Sequence, residues 1–334
     1  MELGANSYDI TLGRGILCKA GELMKLSRKV FIVTDENVPR EYSEAIKTQC
    51  KEGLIYTVPA GEGSKSLEVL GKLLSAMLDF GLSRGDSAIA VGGGVVGDLT
   101  AFASSVYMRG IDFYNIPTTL LSSLDSSIGG KTGVNLSKTK NVVGTFYQPK
   151  AVIIDLDTLK TLPKRHISAG LAEAIKMALT SDAELFSLIE RGVTEDNLEQ
   201  IVFRSLLIKK AIVEEDEKES GLRKILNFGH TAGHGIEAEE GGALLHGECV
   251  ALGMLPVASE EVRERLIPIL EKLNLPTEYT GDIDSALLRV KHDKKAGRDT
   301  LDAIYVDKIG SFRIERCPID KFIKDAKAYF ARRE

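Results

Sequence analysis

Along the first half of the chain, short apolar runs alternate with segments of helical spacing. Residues 8–12, 30–33, 55–58, 88–91, 113–116 and 152–154 are the apolar runs, and they read as strands. Between them, Leu67, Leu70, Leu73, Leu74, Met77 and Leu78 recur at helical spacing, which predicts a helix over residues 66–80 that Gly81 stops. Alternating β and α units predict a mostly parallel, Rossmann-like sheet covered by helices. After about residue 157 the pattern changes. Residues 167–180, 183–191, 198–215, 226–239 and 249–266 have helical spacing, and strand signals return only at 303–306 and 312–315. The expected architecture is an α/β half over residues 1–160 and a mostly α-helical half over residues 161–334, with a ligand cleft between them.

Composition narrows the class without naming a function. The chain of 334 residues is long enough for two domains, and 43% hydrophobic and 27% charged residues are ordinary for a globular protein. A net charge of -5 gives no sign of a nucleic-acid partner. No uninterrupted apolar run is long enough to span a bilayer, and the opening MELGANSYDI lacks the basic and apolar regions of a signal peptide. Cys18, Cys50, Cys249 and Cys317 are scattered without CxxC spacing, as expected of buried thiols in a reducing compartment. A cytoplasmic location is the expectation.

Candidate chemistry gathers in three stretches. In NFGHTAGHGIEAEEGGALLHGE lie His230, His234 and His246, three of the five histidines. His230 and His234 are four apart and share one helix face, and His246 follows a Gly-Gly break that lets it fold back toward them. Imidazole nitrogens beside an acidic residue such as Glu248 suit a divalent transition metal, although two helix histidines can equally serve as hydrogen-bonded core residues. The second stretch, Gly92 to Asp98, follows a strand with the pattern G-x-G-x-x-G, where bare amides approach a pyrophosphate. Its strand is not the first of the sheet, and Asp112 precedes the next strand instead of ending it, so the ribose-binding acid falls to Asp35 in VFIVTDEN. A turn needed only for packing is the alternative. The loop Gly61 to Ser66 can reach the same cofactor, or cap the next helix through Ser64 or Ser66. The third stretch, IPTTLLSSLDSSIGGKTGVN, sets Thr118, Thr119, Asp125, Lys131 and Asn135 around Gly129-Gly130, with Lys140-Asn141 close behind. Its hydroxyls and ammonium groups suit a phosphate or polyhydroxylated ligand.

The motifs GGGVVGDLTAF, YMRG, IPTTLLSSLDSSIGGKTGVN, KNVVGTFYQP, AGLAEAIK, LRKILNFGHTAGHGIE and LHGEC occur in order between about Val30 and Lys295. In that order and spacing the chain resembles the 3-dehydroquinate synthase family of sugar phosphate cyclases. The resemblance implies that Glu173, His230 and His246 bind a metal, zinc or alternatively cobalt, and that His234 transfers protons beside the substrate. Three protein ligands leave the open position that a catalytic metal needs. It implies that Lys131, Asn141, Arg223 and either Lys294 or Lys295 hold the phosphate and carboxylate of the substrate. Asp125, Lys176, Lys209, Glu219 and Asn227 match further pocket positions, and Arg109 matches an arginine that reaches the phosphate across a homodimer interface. NAD would be touched by Asp35, Asn37, Glu62, Lys65, Gly94, Val95, Val96, Gly97, Asp98, Thr118, Thr119, Lys131, Lys140, Thr158, Leu159, Lys160 and Thr161. The chain is short for the family, chiefly after Leu266.

Without the resemblance, Glu173 reads as a solvated helix acid with Lys176 its i,i+3 partner, and KKAIVEEDEKES, which holds Lys209 and Glu219, reads as a wet helix face and loop. The implied reaction converts 3-deoxy-D-arabino-heptulosonate 7-phosphate to 3-dehydroquinate and phosphate within the shikimate pathway of aromatic amino acid biosynthesis. Two rivals share parts of this machinery: another sugar phosphate cyclase, and a metal-dependent polyol or glycerol phosphate dehydrogenase.

Overall fold

The computed structural model describes residues 1–137, 139–293 and 299–331. Lys294 and Lys295, the two expected phosphate contacts, lie outside the described residues. The chain divides into two compact units, Met1–Pro163 and Lys164–Glu334.

In the first unit the strands are β1 (Asp9–Gly13), β2 (Lys29–Asp35), β3 (Glu52–Val58), β4 (Ser87–Gly92), β5 (Asp112–Pro117), β6 (Lys131–Leu136), β7 (Thr139–Phe146) and β8 (Ala151–Asp155). The helices are α1 (Ala20–Leu23), α2 (Arg40–Lys47), α3 (Leu67–Asp79) and α4 (Gly94–Val106). Six strands form one parallel sheet in the order β1-β8-β5-β4-β2-β3, so the expected Rossmann-like sheet is present. Its strands alternate sides because side chains along a strand point to opposite faces. Phe31 and Val33 of β2 pack into one layer with Leu73, Met77 and Leu99 of α3 and α4. Val30 and Ile32 pack into the other with Leu17, Ala20 and Ile46. All four are fully buried, which explains why β2 reads as a continuous apolar run. Each such side chain contributes about 1.5–3 kcal/mol relative to exposure. Ser66 caps α3 by accepting from Val69 N, whereas Ser64 Oγ donates to Pro59 O.

Outside that sheet, β6 and β7 form an antiparallel hairpin that runs through the polar stretch after Gly130, with a short π-helical turn, Ser122–Ser126, before it. The alternation there is too polar to announce a strand, yet residues 131–134 pair with residues 143–146, Gly133 opposite Gly144, where the two backbones come close. A Cβ on Gly144 would lie 1.9 Å from Thr132 O.

The second unit contains α5 (Lys164–Ser181), α6 (Ala183–Glu190), α7 (Glu195–Glu215), α8 (His230–Glu240), α9 (His246–Met254), α10 (Glu260–Lys272), α11 (Ile283–Asp293) and α12 (Ile319–Phe330), with one antiparallel pair, β9 (Thr300–Tyr305) and β10 (Arg313–Pro318). Two expected helices are corrected. The helix expected over 226–239 begins only at His230, because Leu222–Asn227 is a 3-10 turn and Gly229 takes φ +76 against α9. The single helix expected over 249–266 is two. α9 ends at Met254, Pro256 sits in a short 3-10 turn, and Ser259 caps α10. Proline lacks the N–H a continuous helix would need there, and extended Ala258 bridges to Val306 instead. The cysteine expectation also needs correction: Cys249 and Cys317 are buried, Cys50 is half-buried and Cys18 is exposed, all four as free thiols. Among the described residues, no helix is long and apolar enough to cross a membrane.

Candidate active site

Three helices of the second unit approach so closely that only glycine fits where they cross. A Cβ on Gly253 of α9 would lie 2.0 Å from Gly229 O, and one on Gly233 of α8 would lie 2.8 Å from Cys249 O. A Cβ on Gly247 of α9 would lie 1.9 Å from Ala169 O of α5. Arg165, in the first turn of α5, forks onto both oxygens of Glu248 at 2.7 Å, and Glu248 in turn accepts from Leu245 N at 2.7 Å. Glu248 therefore anchors the start of α9 and is not the acid beside the histidines.

That acid is Glu173. It sits fully buried on α5, where Lys176, 1% exposed and one turn on, forms an ion pair with it. The solvated alternative for this pair is thereby overturned. Glu173 Oε1 lies 3.8 Å from His230 Nε2 and 3.5 Å from His246 Nε2. The other nitrogen of each imidazole is engaged: His230 Nδ1 is 3.1 Å from Phe228 O, and His246 Nδ1 is 3.1 Å from Glu237 Oε2. A carbonyl and a carboxylate can only accept, so each Nδ1 carries the proton and each Nε2 faces Glu173. Burial pushes the Glu173 carboxyl up, yet Lys176 and the two imidazoles outweigh it and hold the group well below the usual carboxylate range. Burial and the Lys176 charge hold His230 well below its ordinary value, so it is neutral. Burial also pushes His246 down, but Glu173 and Glu237 prevail and raise it to about 10.

The donor set fits a divalent cation. One ligand atom each from Glu173, His230 and His246 lies within 4.8 Å of the others. Lys176 already pairs with Glu173 Oε2, while Oε1, turned toward the two Nε2 atoms, makes no hydrogen bond among the described residues, so a cation shared with the imidazoles would satisfy it. His234 is exposed, its ring centroid 5.1 Å from that of His230 and 5.8 Å from that of His246. Glu237 escapes motif reading. The available signal is its place on the face of α8 that carries His230 and His234, seven and three residues before it.

Beyond the trio, the unit buries cations. Lys209 on α7 is 4% exposed and Arg223 is 2% exposed, so the wet-face alternative fails for Lys209. Glu219, half-buried, accepts from Asn227 Nδ2 at 2.9 Å. The turn between them is built on Asp216, which accepts from the amides of Ser220, Gly221 and Arg223 and from the Ser220 hydroxyl at 2.7–3.1 Å. Arg223 Nη1 donates to Glu217 O at 2.5 Å. Burial pushes the Asp216 carboxyl up, but these donors outweigh it and bring it from 3.8 down to about 2. The folded value lies below the unfolded one, so ionised Asp216 stabilises the fold fully above about pH 4 and loses that contribution as pH falls to about 2. Asp216→Asn should accordingly be less stable than the parent at pH 6, with the gap in urea midpoints closing between pH 4 and pH 2. A gap constant with pH would refute this role.

In the first unit the candidate cofactor residues come together at one edge. All six strands run the same way, so Asp35 at the end of β2, Gly92 at the end of β4, and Thr118 and Thr119 just after β5 share the carboxyl edge of the sheet. The turn holding Thr158, Leu159, Lys160 and Thr161 follows β8 on that edge. The chain leaves β2 toward β3 on one side and returns to β4 on the other, which makes this the crevice where open α/β sheets bind ligands. α4 begins here with Gly93 as its N-cap and no side-chain cap, leaving the amides at Gly94, Val95 and Val96 for an anion. The packing alternative for this turn also holds in part, because a Cβ on Gly92 would lie 2.7 Å from Val96 Cβ and one on Gly94 2.9 Å from Ser126 Oγ. Asp35 Oδ1 accepts from Asn37 N, and Thr158 and Leu159 are buried while Lys160 and Thr161 are exposed.

Lys65, 5% exposed, is held by Asp98 Oδ2 at 2.5 Å and by Asn141 Oδ1. Asn135 joins them, donating to Glu62 Oε1 at 2.9 Å and accepting from Asn141 N at 2.8 Å. The β6–β7 hairpin thus ties Asn141 to the Glu62–Lys65 loop, while Lys131 and Lys140 on the same hairpin are exposed and Asp125 lies in the π-helical turn. Arg109 is exposed in a turn where Met108 and Arg109 both have positive φ, 48 and 68.

Residues 55–169 match the family model described as 3-dehydroquinate synthase N-terminal, and residues 170–296 match 3-dehydroquinate synthase C-terminal. The 3-dehydroquinate synthase of Campylobacter concisus is 44% identical over 325 residues, covering 93% of this chain and 94% of that protein. That of Alkaliphilus metalliredigens is 49% identical over 264 residues, covering 76% of this chain and 74% of its own. Among solved structures, 2-epi-5-epi-valiolone synthase from Streptomyces hygroscopicus subsp. jinggangensis, with NAD+ and Zn2+ bound, has a TM-score of 0.86 at 28% identity, with 98% of each chain covered. Carboxylate and imidazoles meeting in one unit, and a glycine-rich helix start at the sheet edge of the other, agree with these likenesses: the chain belongs to the 3-dehydroquinate synthase family.

Proposed function

We propose that this chain is a 3-dehydroquinate synthase. It would convert 3-deoxy-D-arabino-heptulosonate 7-phosphate to 3-dehydroquinate and phosphate through transient oxidation, phosphate elimination, re-reduction and intramolecular aldol cyclisation in the shikimate pathway. The observation that carries this reading is the buried Glu173 with two Nε2 atoms facing it, in a chain that matches the family over both units. When bound, NAD supplies a hydride acceptor and zinc or cobalt a Lewis acid that acidifies substrate hydroxyls.

The protein's own part divides between the units. In residues 1–160 the amides of Gly94, Val95, Val96 and Gly97 with Asp35, Asn37, Thr118 and Thr119 hold the dinucleotide, and Glu62, Lys65, Asp98, Lys140 and Thr158–Thr161 complete its site. In residues 161–334, Glu173, His230 and His246 hold the metal. Lys176, Lys209 and Arg223 neutralise a substrate that bears a carboxylate and a phosphate, and Glu219 and Asn227 orient its hydroxyls. Within residues 1–160 the family likeness also assigns Lys131, Asn141 and Asp125 to substrate recognition, and within residues 161–334 it assigns one lysine of Lys294 and Lys295 to the phosphate. Fixing a flexible sugar in one reactive shape lowers the entropic part of the barrier. His234, exposed beside the two ligands, moves protons. We further propose a homodimer in which Arg109 reaches the phosphate of the neighbouring subunit, since the strained Met108–Arg109 turn presents it beside exposed Val106 and Met108. A reducing cytoplasm suits the four free cysteines.

The decisive assay mixes the protein with the heptulosonate phosphate, NAD and zinc. Release of inorganic phosphate without net absorbance at 340 nm is expected, whereas accumulating NADH would favour a dehydrogenase. His234→Ala should keep its zinc and lose about 100-fold or more in kcat, the usual scale of general acid–base catalysis. Loss of zinc in that variant would make His234 a ligand.

A further inference from the structure

Resting on the metal-site reading above, we infer that Glu237 is a positioning residue: its hydrogen bond to His246 Nδ1 aims His246 Nε2 at the point shared by Glu173 and His230. The two histidines facing Glu173 differ in how they are held. His230 begins α8, is 9% exposed, and has its Nδ1 on a backbone carbonyl, Phe228 O, two residues away. His246 begins α9 with 27% of its side chain exposed, so packing alone does not choose which nitrogen faces inward. The contact at 3.1 Å to Glu237 Oε2 makes that choice, because a carboxylate accepts and Nδ1 must donate. Glu237 lies on the face of α8 that carries His230 and His234, so one helix supplies a ligand and the orienting group of the next ligand. His234 and Glu237 also lie near enough to His246 to form a ligand group of their own, which the test must separate.

Zinc affinity, measured on the purified full chain by competition with a chelator, is the readout, with thermal melts of the metal-free proteins as the folding control. Glu237→Ala should weaken zinc binding about 10–100-fold, the range for losing an orienting partner of a histidine ligand. Glu237→Gln keeps an oxygen that can accept from Nδ1 and should restore most of that loss. Zinc affinity in Glu237→Ala within twofold of the parent would overturn the inference, as would Glu237→Gln binding no better than Glu237→Ala. A second zinc equivalent bound by the parent and lost in Glu237→Ala would overturn it too, making Glu237 a ligand to its own ion. Should Glu237→Ala fail to fold, nitrogen-15 NMR of the zinc-loaded parent decides: a proton on His246 Nδ1 is expected, and one on Nε2 refutes. A parent that binds no zinc at all would instead fail the underlying metal-site reading.

Discussion

His246→Ala is expected to lose zinc and activity together while keeping its fold. The side chain is part-exposed at the start of α9, so its removal opens no buried cavity, and the anchors of that helix, Glu248 with Arg165, are untouched. What disappears is one of three donors. With Glu173 and His230 alone the site cannot hold a divalent cation against water, and the Lewis acid is lost. Such an ion supplies several kcal/mol to the reaction, and at about 1.4 kcal/mol per decade the loss in kcat is on the order of a thousandfold or more. Metal analysis after gel filtration, set beside phosphate-release kinetics, measures both. Full activity in a metal-free preparation would refute the ligand role.

The second large effect is structural. In Gly253→Ala the new methyl would sit 2.0 Å from Gly229 O and 2.6 Å from Gly233 N, and backbone atoms cannot rotate away as a side-chain end can. α8 and α9 must separate, at a cost of about 3 kcal/mol or more. A fall of roughly 10 °C in melting temperature follows if the second unit unfolds as a domain of its size. Zinc affinity should fall with it, since His230 and His246 sit on the two helices forced apart. Gly71→Ala provides the opposite case: exposed on α3 with nothing within 4 Å of the added carbon, it should stabilise by about 0.5–1 kcal/mol. Equal melting temperatures for Gly253→Ala and the parent would remove the close crossing as the cause of convergence.

Much of the candidate site is legible in the amino-acid order because its signals are local. His230 and His234 four apart, and glycines between a strand and a helix, need only the helix period and the demands of a tight turn to be noticed. Where partners come from distant segments, local reading stays ambiguous. Glu173 with Lys176 has the same spacing as a surface ion pair, and Lys209 sits in a run of charges like any wetted helix. Their burial follows from α5 and α7 being covered by other elements. Glu248 lies beside the histidines in the sequence, yet its carboxylate is taken up by Arg165 and Leu245 N and anchors α9.

By itself, the sequence determined the alternation of strand and helix in the first unit, the helical character of the second, and which side chains are chemically able to hold a metal. Periodic burial imposes those patterns residue by residue. Only the tertiary structure decided that α8 waits until His230, that α5, α8 and α9 meet at Gly233, Gly247 and Gly253, and that Glu237 faces His246. Each depends on how closely two backbones can approach. That is set by glycine-lined crossings between segments far apart in the chain, and no periodicity within either segment encodes it.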